Sequence, residues 1–104
     1  MWKGRDSVPG SRYFVTICVK DREPTLLDSD TCTRLLEQLE TQQYEKDIEL
    51  NCATIMADHL HLVFRLGCRL TVGQVIGKFK SKTKQLVSWQ RDFYEHQIRP
   101  DEPE

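Results

Sequence analysis

His59-Leu60-His61-Leu62-Val63-Phe64-Arg65-Leu66 is the cleanest two-residue alternation in the chain. Leu60, Leu62, Phe64 and Leu66 fall on one side and His59, His61, Val63 and Arg65 on the other, as in a strand with one face in a core. Residues i and i+2 of a strand project to the same side, so His59 and His61 are presented together. Just upstream, Ile48 to Met56 also alternates. Ile48, Leu50, Cys52, Thr54 and Met56 are assigned to one face, and Glu49, Asn51, Ala53 and Ile55 to the other. Only Ala57-Asp58 separates the two segments, which predicts a hairpin.

Downstream, Gly67 to Leu70 reads as a turn, and Thr71-Val72-Gly73-Gln74 has the form of a capping box. The helix it opens runs to about Val87, with Val72, Val75, Ile76, Phe79 and Leu86 as its apolar positions. Lys78 and Lys82, like Lys80 and Lys84, are one helical turn apart and flank that stripe. Upstream, Tyr13 to Lys20 alternates with both faces fairly apolar and reads as a central strand. Asp21 to Pro24 is a charged turn. Asp28, Ser29 or Asp30 caps a helix whose apolar positions are Leu35, Leu36, Leu39 and Tyr44, with Glu37, Glu40 and Glu45 toward solvent. Trp89 to Ile98 reads as a last extended segment. The order strand, helix, strand, strand, helix, strand predicts an α+β fold, a ferredoxin-like antiparallel sheet with two helices on one face. Residues 1–104 are expected to form a single domain, with 99–104 as a loose tail.

The chain has 104 residues and a formal charge of −1, which suits one small domain. No apolar run approaches the roughly 20 residues of a membrane helix, and residues 1–10 have no apolar segment resembling a signal peptide, so a cytoplasmic protein without a membrane partner is expected. Cys18, Cys32, Cys52 and Cys68 form no C-x-x-C pair and are expected to be buried or half-buried thiols rather than a zinc site or disulfide framework. The near-zero charge hides a segregation. From His59 to Arg91 there is no acid, while Arg65, Arg69, Lys78, Lys80, Lys82, Lys84 and Arg91 contribute +7, leaving −8 elsewhere. Such a segment is either a solvated helix face or the electrostatic footprint of a phosphate-binding surface.

The His-Leu-His pair alone is a modest signal for one divalent ion. The combination is more specific. Asp58-His59-Leu60-His61-Leu62-Val63-Phe64 precedes the basic helix with Gly77-Lys78-Phe79-Lys80-Ser81-Lys82-Thr83-Lys84. Trp89-Gln90-Arg91-Asp92-Phe93-Tyr94-Glu95-His96-Gln97-Ile98-Arg99 then follows. Together with the opening strand, these segments resemble the IS200-like transposase family, and most of all its branch associated with repetitive extragenic palindromes. These are HUH endonucleases, named for histidine, hydrophobic residue, histidine.

The resemblance implies DNA transposition by cleavage and joining of single-stranded DNA. In such enzymes His59 and His61 would bind Mg²⁺ or Mn²⁺ to polarise the scissile phosphate. A tyrosine would attack and conserve the bond as a phosphotyrosine. Single-stranded DNA or hairpin ends would meet Arg65, Lys78, Lys80, Lys82, Lys84 and Arg91 on phosphates and Trp89 in stacking. A homodimer is also within the family's habits. The nucleophilic tyrosine belongs on a further helix, with a third polar ligand about one turn later, and residues 1–104 reach neither. These residues are therefore expected to bind metal weakly and to bind DNA without cutting it, as a fragment, a truncated remnant or a subunit completed by another chain. Tyr94 is a lesser candidate for the nucleophile, because it sits inside the extended segment, where a packing or surface aromatic is the ordinary role. The competing expectation is a ferredoxin-like nucleic-acid-binding module without catalysis. His96 has no spacing that places it beside the pair.

Overall fold

The computed structural model describes residues 7–98. Strand β1 (Arg12–Cys18) leads through short 3₁₀ turns to helix α1 (Ser29–Tyr44). Strands β2 (Ile48–Ile55) and β3 (His59–Leu66) form the hairpin, followed by helix α2 (Val72–Thr83) and strand β4 (Tyr94–Ile98). The sheet order is β2-β3-β1-β4, with every neighbouring pair antiparallel. This is the α+β arrangement expected. The proposed tail at 99–104 lies outside the described residues, and among the described residues no helix is long and apolar enough to cross a membrane.

One core cluster holds the layers together. Tyr13, Val15 and Ile17 of β1 and Leu60, Leu62, Phe64 and Leu66 of β3 are buried against Leu35 and Leu39 of α1 and Val75, Ile76 and Phe79 of α2. Full burial of such side chains contributes roughly 1.5–3 kcal/mol each. Both helices start where their caps dictate. The Asp28 carboxylate accepts from the Thr31 amide at 2.9 Å, and Thr71 and Gln74 form the complete capping box.

Several boundaries and faces differ from expectation. Leu36 and Tyr44 are exposed, and the buried seam of α1 is Leu35, Leu39 and Gln42. Gln42 fits because its side-chain amide donates to the Val75 carbonyl at 3.2 Å and accepts from Gln38 at 2.9 Å, so no buried polar group of this side chain is stranded. In β2 the register shifts between Leu50 and Cys52, leaving Asn51 as the extra residue of a bulge. Ala53 and Ile55 therefore pair with Leu62 and Leu60 on the core side, and Cys52 and Thr54 turn outward, the reverse of the assigned faces. Cys52 is consequently exposed; Cys68, in the turn after β3, is exposed too, whereas Cys18 and Cys32 are half-buried, and all are free thiols.

Helix α2 ends at Thr83 rather than near Val87: the Leu86 amide closes a tighter three-residue turn on the Thr83 carbonyl at 2.9 Å, and Val87 donates to the same oxygen at 3.1 Å. Strand β1 ends at Cys18 and β4 begins at Tyr94. Between them, Val19 and Trp89 form an isolated bridge, and residues 90–93 leave the ladder. Lys80 explains that departure. Its ammonium donates to the carbonyls of Gln90, Arg91 and Asp92 at 2.8, 3.0 and 3.2 Å and lies 5.6 Å from the Phe93 ring centre.

Glu95 of β4 stands opposite Val15 and so faces the helix layer. Its Oε1 is buried without a partner among the described residues, and burial holds its carboxyl above the usual glutamate range. Below the ordinary pKa of 4.5 both folded and unfolded chains carry it protonated; above that, ionisation costs the folded state more. Glu95→Gln is expected to raise the melting temperature at pH 7, with the gain shrinking toward zero below pH 4.5, as measured by thermal denaturation across pH.

Candidate functional site

The alternation of β3 buries its leucines and Phe64, which forces His59 and His61 onto the opposite face of the sheet. No described helix covers that face. The two rings lie edge to face with centres 4.7 Å apart. Antiparallel pairing sets Cys18 opposite His59 and Thr16 opposite His61, with Thr54 on the other side of His61.

Each ring is held through Nδ1. Asp58 Oδ1 lies 2.7 Å from His59 Nδ1 and, being a carboxylate, accepts the proton there. His61 Nδ1 lies 2.9 Å from the Thr16 hydroxyl, and Phe14 stacks on the His61 ring at 5.3 Å with a 19° tilt. Nε2 of His59 is thereby left for an external partner, and so is Nε2 of His61 when its Nδ1–H donates to the Thr16 hydroxyl, the arrangement in which outer hydrogen bonds orient metal-binding imidazoles. Asp58 is itself fixed by Arg22, whose Nε donates to Oδ2 at 3.0 Å. Arg22 reaches it from a turn in which Asp21 and Arg22 both adopt positive φ, 59° and 55°. Such backbone is costly for residues other than glycine and persists where surrounding contacts hold it.

These contacts set the protonation states. The Arg22 hydrogen bond, followed by that of His59, holds the Asp58 carboxyl below the usual aspartate range. Asp58 in turn raises the Arg22 pKa. Burial first, and the neighbouring His59 second, hold His61 below the ordinary imidazole range, which favours the neutral form that can ligate. The donor set thus fits a divalent cation at two imidazole nitrogens, with its other positions open to water or phosphate oxygen. No group of three or more His, Cys, Asp or Glu side chains able to hold a metal occurs among the described residues.

The expected basic residues divide in two. Lys78 is held by Glu45 at 2.6 Å and by the buried Asp47 at 2.8 Å, and these carboxylates raise its pKa. Lys80 clamps the 90–92 loop. Arg65 donates to the Gly10 carbonyl at 2.8 Å and pairs with Glu49 at 3.4 Å. Lys82, Lys84 and Arg91 are exposed and have no charged partner among the described residues. Trp89, expected as an exposed aromatic, is half-buried; its indole donates to Thr83 at 2.8 Å and its ring lies 5.7 Å from that of Phe79.

His96 does share the open face, opposite Phe14, but it is set on β4, two strands from the pair. Tyr94 is 54% exposed on the same strand, opposite Thr16. Thr16, Arg22 and Asp58 are the site residues that periodicity does not reveal as such. Only the Asp58-His59 adjacency was visible in the sequence. Asp58→Ala is expected to release the His59 ring from its Nδ1–H form, read as a change in its ring-nitrogen shifts by long-range ¹⁵N NMR, while the His61 tautomer is unchanged.

A family described as "Transposase IS200 like" matches residues 7–100. Among solved structures, the fold is similar to the REP-associated tyrosine transposase bound to a REP hairpin. That likeness has a TM-score of 0.73 and 20% identity over 89% of this chain and 59% of that one. A candidate transposase from Deinococcus radiodurans R1 gives a TM-score of 0.74 and 17% identity over 96% of this chain and 88% of that one. The present chain thus spans 59% of the length of the hairpin-bound relative. No curated protein matches it. With the family match running from β1 through β4, the chain belongs to the IS200-like transposases.

Proposed function

We propose that this chain binds single-stranded DNA at a divalent cation held by His59 and His61, as part of the strand cleavage and joining of DNA transposition. The observation that carries the proposal is the pair of imidazoles on the uncovered sheet face, each tied through Nδ1 and presenting Nε2. Bound there, Mg²⁺ or Mn²⁺ would supply Lewis-acid polarisation of a phosphate. Asp58 and Thr16 keep the rings aimed, Arg22 keeps Asp58 ionised, and Phe14 limits the movement of His61. Lys82, Lys84 and Arg91 supply the backbone contacts, because they are exposed and have no charged partner among the described residues. The relative bound to a REP hairpin supports hairpin ends as the partner.

In the same proposal, residues 1–104 hold DNA without cutting it. Tyr13 is buried and its hydroxyl accepts from the Val8 amide at 2.8 Å, and Tyr44 is exposed on α1. Tyr94 is on the correct face, but β1 lies between it and His61, a distance of two strand spacings or about 10 Å. A covalent protein–DNA adduct that Tyr94→Phe abolishes would overturn this part. A metal-free binding module is the second reading, favoured by the lack of a third ligand among the described residues.

The division of the cations provides the test. In a titration of binding against salt, Lys84→Ala and Arg91→Ala are each expected to lower the slope of log affinity against log salt by about 0.7. Lys78→Ala should leave the slope alone and instead lower the melting temperature, since it strips Asp47 of its partner. Equal slopes in all of these variants and the parent would remove the proposed phosphate contacts.

A further inference from the structure

Resting on that reading, a second feature of the open face takes on a role. Where residues 90–93 leave the ladder, a cleft of about 250 Å³ opens between β1 and β4, lined by Thr16, Cys18, Gln90, Asp92, Phe93 and Tyr94. Its walls are mostly apolar, from Phe93, Tyr94 and Cys18. Thr16, Gln90 and Asp92 add polar groups. Thr16 also bonds His61, and Cys18 stands opposite His59, so the cleft and the histidine pair share a wall. The near wall lies one strand spacing, about 4.8 Å, from the pair, and Tyr94 on the far wall lies two.

We propose that this cleft receives one unpaired nucleobase of the strand whose phosphate lies at His59 and His61. Its volume of about 250 Å³ accommodates a single planar ring system. A phosphate one to two strand spacings away, about 5–10 Å, is within reach of the same nucleotide's own backbone. Tyr94, half-exposed at the mouth, offers the π-face on which a base stacks, a contact that tolerates any base. The exposed Gln90 side chain is the polar group on this wall that meets the base edge.

The walls are fixed before any ligand arrives. Lys80 pins the carbonyls of residues 90–92, and the Gln90 amide donates to the Cys18 carbonyl at 2.8 Å. A preformed cleft lowers the ordering cost of binding. On the far side of Gln90 lies a second cleft, of about 420 Å³, which includes Lys84, Trp89 and Arg91. The two clefts meet at Gln90. Gln90 is thus common to the base cleft and to the cleft that holds the exposed cations Lys84 and Arg91.

The test uses the full chain and a DNA hairpin with a single-stranded extension, in which an abasic site is walked along the extension. One position is expected to lose about tenfold in affinity, the equivalent of 1.4 kcal/mol of stacking. 2-Aminopurine placed at that position should be quenched on binding. Tyr94→Ala should erase both the positional loss and the quenching, and Tyr94→Phe, which keeps the ring, should retain them. If the oligonucleotide binds but every abasic position is tolerated equally, the base site is wrong while the DNA-binding reading stands. If no oligonucleotide binds even at low salt, both fall. The abasic walk on the unaltered chain keeps the test decisive should Tyr94→Ala fail to fold.

Discussion

The structure depends on the burial of one face of β3. Leu60, Leu62, Phe64 and Leu66 are at most 2% exposed, and they sit between β1 and β2 as the centre of the sheet. A slip of one residue would expose all of them and bury His59, His61 and Arg65, so the register is strongly specified. The outward presentation of the two imidazoles is the other side of this constraint. The histidine pair is held in place by a core that needs no contact with it.

That core fixes only the direction of the rings. Their rotation comes from polar contacts made by parts of the chain distant in sequence: Thr16 from β1, and Asp58 from the hairpin loop. Arg22 secures Asp58 from a turn with unfavourable backbone angles. The arrangement places strain and charge around the histidines while leaving their Nε2 atoms open, as expected of a site preorganised for a ligand.

The fold was legible wherever side-chain alternation coincided with burial, as in β3, the capping box of α2 and the order of the elements. It was not legible where pairing decided the outcome. The bulge after Leu50 exchanges the faces of Ala53 and Thr54, and nothing in the local sequence marks the extra residue. Helical spacing placed Lys78 and Lys80 on the surface flanks of α2. It could not reveal that the end of α1 and the loop after it bring Glu45 and Asp47 to Lys78, or that loop carbonyls surround Lys80. Likewise Thr16 was one outward position of a strand among others until the β1–β3 register set it against His61. The charge map is smaller than the sequence suggests, since much of the +7 segment is spent on holding the domain together and the exposed remainder gathers at the end of α2.

In the proposed function His59 and His61 join metal and DNA at one place. Binding at one place makes the two ligands thermodynamically coupled. The most direct measurement is the affinity of the chain for a single-stranded oligonucleotide with and without Mn²⁺, for the parent and for the His59→Ala/His61→Ala double variant. Mn²⁺ is expected to tighten DNA binding by the parent and to have no effect on the variant, which keeps its metal-free affinity. An affinity for DNA that is indifferent to Mn²⁺ in the parent, or tightened equally in the variant, would contradict it.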